Sequence, residues 1–330
     1  MEQQKELRKL YIVFALLFSV SLVIGDYHYH GIDKPNLDTR LKLHTKIIDG
    51  TAESPYRYRI LVPFVMEHLA KTLPQFIPAN KRFLLSYLVY DITVVFFMLG
   101  LLFVYLRLWF PAEQSLIGVL FVSSTMIAAM KNHYYQPWSF LDASFFTLGL
   151  LAIFKKKYVG FAFLVVLATL NRATAIFLPL TYLLISINTD VSRKYRNTSS
   201  LLSRQDLFRF LVYFALWLTV FIGLRWILGQ AGSVHTIREL WALNTTPARL
   251  LYALINNSIF LGLFWLFAVR GFGCAPIYVR KTVRIVPLYI LVIAVYGVWH
   301  EVRLLMTLYP ILVPLGLSFI YRKKEVGQTN

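Results

Sequence analysis

FLLSYLVYDITVVFFMLGLLFVYL, residues 83–106, is a run of 24 residues with a single charge, Asp91. About 20 apolar residues are needed to carry a helix through the hydrocarbon of a bilayer. Lipid offers backbone groups no hydrogen-bond partner, so such a run crosses as a helix. Similar runs recur to either side, at about 10–25, 113–130, 139–154, 158–170, 173–187, 208–228, 251–269, 285–299 and 304–321. The expectation is an all-α, polytopic transmembrane bundle of about ten spans, forming one domain over residues 1–330. The segments 158–170 and 173–187 meet at Asn171-Arg172 and read either as two spans or as one broken hairpin.

Composition agrees. Of the 330 residues 58% are hydrophobic and 15% charged, against about a quarter charged in soluble domains. The net charge of +18 would suggest nucleic acid in a soluble protein. Here the basic residues sit in short loops between apolar runs, where they set topology and meet anionic headgroups. No nucleic-acid partner is expected. The lone cysteine, Cys274, excludes an internal disulfide. KELRKLYIVFALLFSVSLVIG (5–25) resembles a signal sequence without a small-residue cleavage site, and reads as a retained first span.

With the N-terminus in the cytoplasm, the cytoplasmic side collects 19 of the 34 basic residues and 6 of the 16 acids. Ten spans return the C-terminus to the same side, as the positive-inside rule asks. The location expected is a bacterial inner membrane with both termini cytoplasmic. The first outer loop, 26–82, holds LDTRLKLHTKIIDG, in which Leu37, Leu41, His44 and Ile48 follow helical spacing. It predicts a short amphipathic helix lying on the bilayer surface. RILVPFVMEHLAKTL predicts a second. The loop of about 188–207 reads as a solvated connector.

Ionisable residues within or beside a membrane are costly and are functional candidates by default. Asp91, Asp142, Arg172, Arg225, His300, Glu301 and Arg303 all fall toward the non-cytoplasmic side, facing a first loop with Asp26, Asp33, Asp38, Arg57 and Arg59. Guanidiniums clamp phosphate by charge-assisted bonds, and a carboxylate can take a proton from an attacking hydroxyl. Tyr134, Tyr135 and Trp138 offer faces to a sugar or belong to the interfacial aromatic belt. The mixture suits group transfer from a lipid-phosphate donor. In an extended stretch Arg57 and Arg59 would share one side and grip one phosphate. Arg172 pairs with Asp91 or Asp142. His28, His30 and His44 raise a divalent-cation site, but no fixed spacing completes the set, and no cofactor is required.

Three stretches are similar to the GT-C superfamily of membrane glycosyltransferases. LDTRLKLHTKIIDG followed by SPYRYRILVPFV resembles the D-x-R…G first loop of lipid-linked sugar transferases. YYQPWSFLDASFFTLGLLAIFKKK with LATLNRATAIFLPLTYLL resembles their middle spans, with Ala173 where the usual N-R-E-T has Glu. WHEVRLLMTLYPILVP is similar to a terminal H-x-E-x-R…P element, with His300 and Glu301 adjacent here. The resemblance implies a polyprenyl-phosphate-sugar donor, an envelope glycan, lipid or protein acceptor, and a first-loop acid as catalytic base. That base is Asp38 by the pattern, with Asp26 and Asp33 as runners-up. It also implies donor-phosphate contacts from Arg57, Arg59 and Arg303, with Glu301 holding Arg303 and with His300, Arg172, Asp142 and Asp91 in support. A flippase or transporter, or a non-catalytic subunit of an envelope-glycan complex, are the competing readings.

Overall fold

The computed structural model describes residues 2–130, 137–187 and 202–321. Tyr134, Tyr135, most of the 188–207 connector and the basic C-terminal tail lie outside the described residues.

Apolar runs become helices throughout. α1 (Glu2–His28) continues through a π-turn, Tyr29–Asp33. The long segment between the first two spans folds as α2 (Leu37–Ile48), a 3-10 turn at Tyr56–Tyr58, and α3 (Leu61–Thr72). Then come α4 (Ala79–Leu106), α5 (Ala112–Ala129), α6 (Ser139–Phe154) and α7 (Tyr158–Asn171). A 3-10 turn, Ala173–Ile176, leads to α8 (Phe177–Ser186), followed by α9 (Arg204–Leu228). α10 (Ile237–Thr245), α11 (Pro247–Leu261), α12 (Phe264–Gly271) and α13 (Ile277–Thr282) are shorter. α14 (Ile285–Tyr296), a 3-10 segment Val302–Leu308 and α15 (Tyr309–Ile320) complete the bundle. No strand forms among the described residues; one bridge pairs Ser54 with Ser233.

Five stretches are long and apolar enough to cross a membrane: Leu7–Asp33, Ala79–Leu106, Ala112–Ala129, Arg204–Leu228 and Val302–Ile320. α11 and α12 make a sixth if counted together, bent by 66° at Gly262, whose φ of 50° is a left-handed conformation. The protein is therefore an integral membrane helical bundle. The expectation of about ten spans is not met by helix length. The segments at 139–154, 158–170, 173–187 and 285–299 are helices of 16, 14, 10 and 12 residues. These helices are shorter than a full bilayer crossing, so helix length by itself supports five or six spans. Most of α6 is enclosed by its neighbours.

Burial separates centre from rim. The apolar window of Val302–Ile320 is 89% buried and that of Arg204–Leu228 only 17%. Trp226, Ile227 and Phe208 on α9, and Tyr11 and Val23 on α1, are exposed; on these helices the outward apolar face is the lipid face. α12 lies tightly against α15, because Gly271 meets the Leu315 carbonyl where any Cβ would collide.

The two ends of the bundle differ chemically. At one, Lys9 pairs with Glu113 at 3.6 Å, Tyr182 donates to Asp206 (2.8 Å), and Arg284 donates to the carbonyls of Leu184 and Ile187. At the opposite ends of α1, α4, α6 and α9 stand His28, Arg82, Asp142 and Arg225.

Candidate functional site

The first span ends in a buried charge quartet. His28 Nδ1 lies 3.0 Å from Asp33 Oδ2 and 2.9 Å from Asp91 Oδ2, and Arg40 pairs with Asp33. All four side chains are 2% exposed or less. The π-turn after His28 brings Asp33 back beside it, and α2 delivers Arg40, which also stacks 3.8 Å over the Tyr87 ring of α4. The inward stripe of α2 is Arg40, His44 and Ile47. It packs on α3 and α4 instead of lying free on the bilayer as expected, with His44 against Phe83 and Tyr87. The ligand atoms of His28, Asp33 and Asp91 lie within 4.8 Å of one another, a spacing that a divalent cation fits. Arg40 and His28 also face the two carboxylates directly. His30 instead faces Asp26 at 3.6 Å, both largely exposed, and His44 faces Glu67 at 3.1 Å.

Asp38 is exposed in the first turn of α2, where an acid complements the helix dipole. It lines neither of the cavities described below. Arg57 and Arg59 are not in an extended stretch. The 3-10 turn sends them apart, which corrects the expectation of one shared phosphate grip. Arg57 donates to the carbonyls of Ala52 (3.0 Å), Leu228 (3.2 Å) and Gln230 (3.0 Å), clamping the first loop to the end of α9. Arg59 turns inward, 4.9 Å over Trp138 and 5.4 Å over Tyr56. Burial first, and the Arg172 guanidinium next, press its pKa below the usual value.

The Asn171–Thr174 segment folds around one carboxylate. α7 stops because Arg172 is extended, with φ −163° and ψ 139°. Asn171 Nδ2 donates to Asp142 Oδ1 (3.3 Å); Arg172 (3.2 Å) and Thr174 (3.3 Å) donate to Oδ2. Of the two partners expected for Arg172, Asp142 is the one it takes. Ala173 is exposed to the cavity, and its carbonyl accepts from Trp217 (3.1 Å).

The last loop brings Glu301 to Arg303, with Oε2 2.6 Å from the guanidinium. Three asparagines pin it. Asn244 donates to Gly297 O (2.8 Å) and accepts from Trp299 N (3.0 Å), Asn257 donates to Trp299 O (2.9 Å), and Asn256 donates to His300 O (3.4 Å). No spacing rule flags these asparagines as loop supports. Asn244 is 3% exposed and spent on the loop.

Two cavities meet here. The larger, about 620 Å³, is lined by the guanidiniums of Arg59, Arg172 and Arg225 and by His235. Phe221, Leu224, Val292, Ile293 and Leu304 also line it, and the Arg225 guanidinium lies 3.4 Å over the Phe221 ring. The smaller, about 270 Å³, is lined by Tyr27, Ile32, Ile127, Ile259, His300 and Arg303 among others. Glu301 lines both. Such a site can hold a group that is anionic at one end and apolar at the other. Comparisons of the chain with protein-family models, with curated proteins and with solved structures return no match.

Proposed function

We propose that the chain is a membrane glycosyltransferase moving a sugar from a polyprenyl-phosphate donor to an envelope glycan, lipid or protein acceptor on the non-cytoplasmic side. The observation carrying this reading is the larger cavity, whose lining combines three guanidiniums with apolar side chains. A lipid phosphate has the matching two halves. In this reading the donor phosphate meets Arg59 and Arg172, the isoprenoid chain follows Phe221, Leu224 and Ile293, and the sugar lies toward Glu301. An acceptor hydroxyl loses its proton to a carboxylate and its oxygen attacks the anomeric carbon. The bond from that carbon to the phosphate oxygen breaks, and the departing phosphate keeps the electron pair beside the arginines. No cofactor is needed, because guanidiniums meet the charge that develops.

The shorter helices α6, α7, α8 and α14 complete ten crossings in this reading, with both termini cytoplasmic in a bacterial inner membrane. The charge separation between the bundle's ends supports chemistry at one face over passage through the middle, which would want charges near the midplane.

The test uses the full chain reconstituted in vesicles with a panel of polyprenyl-phosphate hexoses. Release of polyprenyl phosphate and formation of a glycosylated acceptor are expected. Movement of the intact donor between leaflets without bond cleavage would identify a flippase instead.

A further inference from the structure

We propose that Glu301, in the last loop, is the general base of the transfer reaction; the assignment rests on the glycosyltransferase reading. Glu301 is the one carboxylate among the described residues lining either cavity, and the one residue that lines both. A base must stand where acceptor and donor meet, and the junction of two cavities is such a place. The donor phosphate lies against Arg59 and Arg172 in the larger cavity, and the acceptor hydroxyl enters by the smaller.

The other acids are committed elsewhere. Asp142 accepts from Asn171, Arg172 and Thr174. Asp33 and Asp91 are buried against His28 and Arg40. Asp26 and Asp38 are exposed and line neither cavity. Position 173, which lines the larger cavity, is Ala and brings no carboxylate.

Glu301 is also held as a base should be. Arg303 contacts its Oε2 at 2.6 Å, and the Glu301 side chain keeps 18% exposure while that of Arg303 keeps 2%. The arginine orients the carboxylate before reaction. The asparagine-pinned backbone from Gly297 to His300 fixes the loop that carries it. In the step, Glu301 takes the acceptor's hydroxyl proton as the new glycosidic bond forms and the bond to phosphate breaks. The proton then passes to water.

The experiment compares wild type, Glu301→Gln, Glu301→Asp and Asp38→Asn as full-length protein in vesicles. Donor binding and donor turnover are measured separately with the polyprenyl-phosphate hexoses. Glu301→Gln is expected to lower kcat about 100-fold or more, the scale of general-base catalysis, with donor affinity within about threefold. Glu301→Asp should recover part of the rate. Full kcat in Glu301→Gln overturns the assignment, as does a rate loss confined to Asp38→Asn. Equal losses of affinity and kcat in Glu301→Gln also overturn it, since a mere structural partner of Arg303 would act so. A wild-type protein that neither binds nor turns over any donor sinks the glycosyltransferase reading, and the base with it. Wild-type turnover with an unaffected Glu301→Gln sinks only the base.

Discussion

Arg172 donates to Asp142 across 3.2 Å, joining residues 30 positions apart at the inner edge of the larger cavity. Both side chains are 9% exposed, so neither charge is well hydrated without the other. Removing one partner of a buried pair costs about 3–5 kcal/mol, mostly because the remaining charge is stranded. Asp142→Asn should therefore lower the unfolding midpoint in detergent. Asp142→Asn with Arg172→Gln should destabilise by less than the sum of the single changes, with a coupling of about 0.5–3 kcal/mol. Strict additivity in that cycle would show that the pair does not act as a unit.

The first-loop acids divide by burial. Asp33→Asn leaves Arg40 buried beside a neutral amide and should cost about 3–5 kcal/mol. Asp38→Asn touches an exposed first-turn acid and should cost about 0.3–1 kcal/mol through the helix dipole alone. Because Asp33 and Asp91 are balanced by His28 and Arg40, a chelator should leave the melting temperature of the wild type unchanged. A chelator-dependent drop, restored by a divalent cation, would show instead that a metal sits among His28, Asp33 and Asp91.

Much of this architecture was legible in residue order, and the limit is physical. Helical spacing of Leu37, Leu41, His44 and Ile48 predicts α2, and Arg172 stands out because its surroundings are apolar. Apolar length alone does not tell lipid contact from protein contact: the run of α6 reads as a span although most of it is enclosed by its neighbours. The quartet of His28, Asp33, Arg40 and Asp91 joins α1, α2 and α4 across 63 positions, and no local pattern carries such a pairing. Arg57 and Arg59 read alike in Y-R-Y-R, and only the 3-10 turn at Tyr56–Tyr58 separates their roles. Asn244 and Asn257 support a loop some 42 to 55 positions away, a role no spacing announces.

Acid should loosen the first outer loop from about pH 6.5 downward. Burial holds the His44 imidazole below its ordinary pKa of 6.5, partly opposed by Glu67. The unfolded chain then binds a proton that the folded chain refuses, so stability falls as pH drops through the unfolded value. Glu67 acts in the same direction at lower pH. Hydrogen bonds from His44 and Lys71 hold its carboxyl below 4.5, and that stabilisation is lost as pH falls through its folded pKa. His44→Gln should flatten the melting-temperature profile just below pH 6.5, where the unfolded imidazole takes up its proton. An unchanged slope in that variant would place the sensitive group elsewhere.

Arg57 and Arg59 should separate cleanly by assay. Arg57→Ala removes bonds to three backbone carbonyls and should cost about 2 kcal/mol of stability, with donor affinity little changed. Arg59→Ala removes a cation from the larger cavity. A lost charge-assisted contact of about 1.5–3 kcal/mol weakens polyprenyl-phosphate binding roughly tenfold to a hundredfold. Titration into vesicles bearing each variant reads this directly, since Trp138 lies against Arg59 and its fluorescence reports on that wall. If both variants bind like the wild type, the phosphate does not rest on this wall.

The last loop should depend on Asn244 more than its distance from Glu301 suggests. Its buried amide satisfies both Gly297 O and Trp299 N. Asn244→Ala leaves that donor and that acceptor without protein partners, at about 1–3 kcal/mol for each group left dry. Loop displacement should then move Glu301 from the junction of the cavities and lower kcat while donor affinity holds, because Arg59 and Arg172 sit on other elements. Asn244→Asp keeps the acceptor for Trp299 N and should recover part of the rate. Hydrogen exchange at Trp299 gives the structural readout. Faster exchange with an unaltered kcat would show that the loop's rigidity does not serve the reaction.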